Sequence, residues 1–170
     1  NGYTMTVNNS TFINNRATKD NVYGVATGGA INIGRRGNAV ITNSKFVDNS
    51  ATGNGNTIYN EWNLTINYCA IIDNTKGNVI YHNGEDNVMD AKYNWWGTND
   101  DPSSLIGVGQ YEDDYGYGNE LCEFDASRWV VMAVSNNYTG EPVAIGNQIE
   151  FTVNFKHDNQ GSLLFDSIPE

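Results

Sequence analysis

A fixed step of 25 residues constrains this chain more than any other feature. Ser44, Cys69 and Asn94 stand 25 apart, and so do Phe46, Ile71 and Trp96, Asn49, Asn74 and Asn99, and Ile41, Ile66 and Ala91. Upstream, Val7, Ser10, Phe12 and Asn15 repeat the pattern 34 residues before Ile41, Ser44, Phe46 and Asn49, so one unit carries a longer loop. A repeat of this size, built from short β-branched runs and Gly/Asn turns with no helical period, predicts a solenoid with one strand-rich coil per repeat.

Within each unit two apolar stretches alternate with turns. Met5-Thr6-Val7 leads to Phe12, Ala39-Val40-Ile41 to Phe46, and Leu64-Thr65-Ile66 to Ile71. Alternation at period 2 turns Val7, Ile41 and Ile66 inward, with the Phe12, Phe46, Ile71 set beyond a bend. A second strand follows in each unit: Gly29–Ile33, Thr57-Ile58-Tyr59 and Val79-Ile80-Tyr81, with Ile31, Ile58 and Ile80 as its core column. Equivalent residues of successive coils should stack at about 4.8 Å, which makes each column a ladder of like side chains. The Asn15, Asn49, Asn74, Asn99 column is expected to be such a ladder at a sharp turn, because Asn tolerates left-handed backbone and its amide both donates and accepts.

The 170 residues include 27 Asn and 18 Gly, with only 17% charged, which excludes a coiled coil and a charge-driven disordered chain. All three prolines (Pro102, Pro142, Pro169) lie beyond residue 100, so every residue of the repeat region can donate to a β-ladder. The net charge of −11 belongs to the later part: residues 1–99 carry seven acids and seven bases, residues 100–170 thirteen acids and two bases. No basic stripe exists to neutralise phosphates, so nucleic acid is not an expected partner. No apolar run approaches the roughly 20 residues of a membrane span. Residue 1 falls inside a repeat, so the chain reads as a piece of a longer protein, and a monomer is expected.

At Ala91–Asn99 the repeat reaches its end. Trp96 replaces Phe or Ile in the core column, is large enough to plug an open solenoid core, and is followed by Pro102, which should prevent another rung. Gly28-Gly29-Ala30-Ile31, the Asn-Ser-Lys-Phe-Val-Asp-Asn repeats and the closing Asn94-Trp95-Trp96-Gly97 together resemble the adhesin-like surface proteins of methanogenic archaea. The resemblance covers about residues 1–104. It implies a right-handed parallel β-helix of the pectate-lyase-like type, a place on the cell surface, and attachment to surface glycans or proteins of other microbial cells. Residues 105–128 read as a Gly-, Tyr- and acid-rich connector. Residues 129–170 resemble the opening strands of the Ig-like modules that follow the helix in such adhesins, with Gln148–Phe155 alternating cleanly. A whole sandwich needs about 100 residues, so this piece is either a partial module or a cap on the helix.

Candidate chemistry is sparse. Asp48 and Asp73 hold equivalent positions one coil apart and would suit proton sharing, calcium or glycosidase work, but both precede the turn Asn, where a solvated residue is ordinary. His82 and His157 lack partners at metal-ligand spacing. Asp100-Asp101 and Glu112-Asp113-Asp114 match no calcium loop; no cofactor is expected beyond a surface Ca²⁺. Cys69 and Cys122 form no metal or redox motif, and Cys69, in the Ser10/Ser44 column, reads as a buried thiol ahead of a disulfide. An aromatic face is the better candidate site. Tyr59 and Tyr81 follow the core Ile in successive coils and should stack outward, Tyr68 and Tyr93 are 25 apart and should do likewise, and Trp62 and Trp95 lie nearby. Exposed rings bind the apolar faces of sugars or anchor protein contacts, but such ladders also simply stiffen sheets. Sequons begin at Asn8, Asn9, Asn63 and Asn137, with Asn63 the favoured acceptor. The leading expectation is a non-catalytic adhesin segment, with a polysaccharide lyase or hydrolase and a structural surface-layer spacer as alternatives.

Overall fold

A computed structural model of the chain describes residues 2–19, 25–72, 74, 77–84, 87–112 and 119–169. The described residues are all-β, with no α-helix and a single 3₁₀ turn at Pro102–Leu105. The repeat becomes three main parallel sheets, visited in the same order by each unit of sequence, with a short parallel pair, Arg16–Ala17 and Ser50–Ala51, between the second and third in the first two units. The first sheet stacks Tyr3–Asn8, Gly37–Thr42, Asn63–Asn67, Met89–Asp90 and Phe124–Asp125. The second stacks Thr11–Ile13, Lys45–Val47 and Ala70–Ile72. The third stacks Ile31–Ile33, Ile58–Asn60, Ile80–His82 and Ile106–Val108.

The register follows the sequence repeat residue by residue. Val7 pairs with Ile41 and Ile41 with Ile66; Phe12 pairs with Phe46 and Phe46 with Ile71. Ile31, Ile58, Ile80 and Ile106 form the third file. Inward members of all three sheets share one core: Ile41, Ile66, Phe46, Ile71, Ile58 and Ile80 are almost wholly withdrawn from solvent. Burial of each such side chain contributes about 1.5–3 kcal/mol, and the parallel Phe12 and Phe46 rings, 4.8 Å apart, add a stack.

The Asn column forms the expected ladder over three units. Asn15 donates Nδ2 to Asn49 Oδ1 at 2.9 Å, and Asn49 donates Nδ2 to Asn74 Oδ1 at 3.2 Å. Asn99 instead grips the Met132 backbone, accepting from its N–H at 2.7 Å and donating to its C=O at 3.0 Å. The left-handed residue at this bend is not the ladder Asn but the one before it: Asn14 at φ 56° and Asp48 at φ 51°. A second left-handed column runs through Asn9, Asn43, Tyr68 and Tyr93, one residue ahead of Ser10, Ser44, Cys69 and Asn94.

Trp96 is buried in the Phe46/Ile71 file, set there by the Ala70–Trp95 bridge, but it is not the last rung. Beyond it Ile106–Val108 pairs with Ile80–His82, Phe124–Asp125 with Met89–Asp90, and Trp129 with Asn94. Pro102 does not stop the stacking because it occupies the first turn of the 3₁₀ segment, where no amide is needed, and Asp101 accepts the Ser103 N–H there at 2.8 Å. The stretch expected to be a bare connector thus supplies two rungs and the Gln110–Glu112/Asn119–Leu121 hairpin.

Val130–Asn136 and Phe151–Asp158 then pair antiparallel, with a bulge between Val131 and Ala133. The Arg128 guanidinium, bonded to the buried Asp158, and Phe155, whose ring lies 4.9 Å from that of Trp95, join this hairpin to the last rungs. Cys69 and Cys122 are both buried thiols. Burial pushes the Cys69 thiol up to about 12. Its Sγ approaches Asn67 O at 3.4 Å, the same two-residue back-bond that Ser44 Oγ makes to Thr42 O and Ser10 Oγ to Asn8 O.

Candidate functional site

On the third sheet, side chains between the inward isoleucines point outward, and the column read there is Asn32, Tyr59, Tyr81, Gly107. The Tyr59 and Tyr81 rings stack with centroids 5.8 Å apart and planes 1° from parallel. One position pair along lies a second outward column, Gly34, Glu61, Asn83, Gly109, tied by Glu61 N–H to Ile33 O, Asn83 N–H to Asn60 O and Gly109 N–H to His82 O. Glycines therefore border the patch, where the Asn side chains of the preceding rung occupy the space a side chain would take. A Cβ at Gly107 would fall 2.1 Å from Asn78 Nδ2, and one at Gly109 would fall 1.7 Å from Asn83 Oδ1. With no side chains of their own, they leave room for Asn78 and Asn83 to lie across the next rung.

The chemistry of the patch is an aromatic platform with polar groups at its rim. Tyr59 donates its hydroxyl to Glu61 Oε1 at 3.4 Å; burial and then the Glu61 carboxylate raise the Tyr59 pKa, so it stays a neutral donor. Arg35, Glu61, Trp62 and Asn83 line a small cleft beside it. Trp62 is fixed from below: the Asn60 side chain accepts its N–H at 3.2 Å and donates to its C=O at 2.8 Å. Asn60 is held in turn by the buried His82, whose Nδ1 lies 2.8 Å from Asn60 Nδ2 and whose Nε2 lies 2.9 Å from Asn87 O. These contacts assign the neutral tautomer with the proton on Nε2. Burial lowers the His82 pKa.

Tyr68 and Tyr93 stack as expected, at 5.3 Å and 9°, but at the bend between the first and second sheets rather than on the third. Arg128 covers the Tyr93 ring, its Cζ 5.7 Å from the centroid. Trp95 lies against Phe155 of the terminal hairpin. The six aromatic candidates thus divide: Tyr59 and Tyr81 stack on the third sheet and Trp62 lines the cleft beside Glu61 and Asn83, while Tyr68 and Tyr93 lie at a bend and Trp95 on the second sheet, where the hairpin docks. Glu61 and Asn83 were missed by the sequence reading, although a signal was present: each stands two residues after a stacked Tyr, where alternation sets it beside the ring.

Of the paired carboxylates, Asp48 is an exposed turn residue in left-handed conformation, and Asp73 lies outside the described residues, as do Asp113 and Asp114. Among the described residues no group of three or more His, Cys, Asp and Glu side chains is arranged to hold a metal ion, and no helix is long and apolar enough to cross a membrane. Comparison with protein-family models, with curated proteins and with solved structures finds no match for this chain.

Proposed function

We propose that the chain is a closed right-handed parallel β-helix segment of a cell-surface adhesin, non-catalytic, that presents the Tyr59–Tyr81 platform to glycans on other cells. The observation that carries this reading is the pair of parallel rings one rung apart, with a carboxylate, an amide and an indole along one edge. Rings stacked on each other present their edges as an apolar ridge to the C–H groups of a pyranose, while Glu61, Asn83 and the Tyr59 hydroxyl suit its equatorial hydroxyls. Common inward columns in three parallel sheets, sharing one core, support closure into a helix. The resemblance of residues 1–104 to archaeal adhesin-like proteins supports the surface role.

The test is retention on a glycan array and on whole microbial cells, compared with Tyr59→Ser/Tyr81→Ser. We expect retention to drop at least tenfold in the double variant while unfolding free energy falls by only about 1 kcal/mol, the value of one aromatic pair. Undiminished retention in the variant would remove this face as the binding site, and release of new reducing ends from a polysaccharide would replace the adhesin reading with an enzymatic one.

A further inference from the structure

We propose that Asn137 is an acceptor of N-linked glycan, and that the sequons at Asn8, Asn9 and Asn63 are silent in the folded protein. The chain carries the acceptor pattern four times, and the backbone separates them. Asn63-Leu64-Thr65 lies in a central strand with partners on both sides; Leu64 is buried and Asn63 Nδ2 is already given to Asn38 Oδ1 at 2.6 Å. Asn8 closes a strand in register with Thr42, and the hydroxyl of its sequon is already used, Ser10 Oγ donating to Asn8 O at 3.0 Å. Asn9 is exposed, but the Ser10 that follows is tied on both backbone groups, N–H to Ser44 Oγ and C=O to Lys45 N–H, and Thr11 begins the next strand.

Asn137-Tyr138-Thr139 lies outside the strands, although Asn137 N–H still donates to Glu150 O at 3.2 Å and Tyr138 N–H to Asn136 Oδ1 at 2.9 Å. It follows directly on the strand Val130–Asn136, all three residues are exposed, and none of the three belongs to a strand. Asn137 Oδ1 accepts the Glu150 N–H at 3.0 Å, which orients the carboxamide by its oxygen and not by the Nδ2 that would take the sugar. The Asn opens on a shallow cleft of about 190 Å³ bounded by Tyr138, Glu141, Asn147 and Gln148, which leaves space for a first sugar. An acceptor must present its tripeptide on the surface, and this is the one sequon of the four whose three residues are all exposed and outside a strand.

The transfer is balanced with a lipid-diphosphate-linked oligosaccharide as donor. Asn137 Nδ2 attacks the anomeric carbon, the bond from that carbon to the diphosphate oxygen breaks, and the lipid diphosphate leaves as an anion. The amide proton passes to a base of the transferase.

The experiment incubates the folded full chain with a single-subunit oligosaccharyltransferase and such a donor, then maps glycopeptides by mass spectrometry. One glycan is expected, on the peptide holding Asn137. It should vanish in Asn137→Gln and in Thr139→Ala, persist in Thr139→Ser, and be joined by Asn63 occupancy when the chain is first denatured. Transfer to the denatured chain alone would overturn the proposal, and so would a glycan on Asn8, Asn9 or Asn63 of the folded chain that survives in Asn137→Gln.

Discussion

Asn49 uses all four hydrogen-bonding positions of its carboxamide while fully buried: Oδ1 accepts from the Asn15 N–H and Nδ2, and Nδ2 donates to Phe12 O and Asn74 Oδ1. Removing it leaves several buried groups unpaired at once, each worth about 1–3 kcal/mol. Asn49→Ala should therefore destabilise the chain by about 2–4 kcal/mol in urea unfolding. Asn49→Asp should be no better, because a second carboxylate oxygen would face two acceptors. A loss below about 1 kcal/mol in the Ala variant would show that the ladder is incidental. Tyr68 and Tyr93 show the opposite balance. They occupy left-handed positions, at φ 55° and 60°, that Asn9 and Asn43 fill upstream. A bulky residue there costs of order 1 kcal/mol, which their stacking, about 0.5–1.5 kcal/mol, offsets.

At the scale of the element, the third sheet couples the core to the candidate platform through Ile33, Asn60, His82 and Val108, one file with two polar members. His82 is neutral because both ring nitrogens are committed: protonating Nδ1 would set two donors against each other. Asn60 cannot flip without losing both bonds to the Trp62 backbone. The folded pKa lies below the ordinary 6.5, so the unfolded chain takes up this proton first as pH falls. Stability from this group is complete above pH 6.5 and declines as pH drops from there towards the folded pKa. Urea midpoints between pH 8 and 5 should fall in the native chain, and His82→Gln should flatten that slope; an unchanged slope would remove His82 as its source. Much of this element was legible in the sequence. Ile31, Ile58 and Ile80 set the inward file, and alternation then put Tyr59 and Tyr81 outside. The inward places of Asn60 and His82 were not read, because polar residues in a core column look like turn residues until their partners are seen. The left-handed residue was misassigned by one position for a related reason: Asn at 14, 15 and 49 and Asp at 48 all suit a turn, and only the ladder bonds separate them.

At the scale of the whole molecule, the 25-residue step carries the register of the first two sheets, the third was read from its own apolar strands, and neither shows where the stacking stops. Ile106 and Phe124 extend the sheets outside the 25-residue step, and no spacing announced them. The terminal hairpin is also attached in a way that the alternation of Gln148–Phe155 could not reveal. Arg128 lies over Tyr93 on one side and on the other donates Nε to Asp158 Oδ2 at 2.7 Å, while Asp158 also accepts from the Gln160 and Ser162 amides. Burial raises the Asp158 pKa, but Arg128 and those two amides outweigh it, so the carboxyl stays below its ordinary value. Truncating Arg128 leaves that carboxylate 1% exposed with its cation gone. Breaking a buried pair from one side costs about 3–5 kcal/mol, and the two remaining amides reduce this to about 2–3. Because Val134, Phe151 and Val153 are exposed, the hairpin has little core of its own with which to resist. In Arg128→Ala, amide hydrogen exchange should accelerate across Val130–Asn136 and Phe151–Asp158 by at least tenfold, while Gly37–Thr42 and Asn63–Asn67 exchange as before. Equal acceleration in both regions would mean that the hairpin and the parallel sheets open as one unit, and that Arg128 holds the whole stack rather than joining one part to the other.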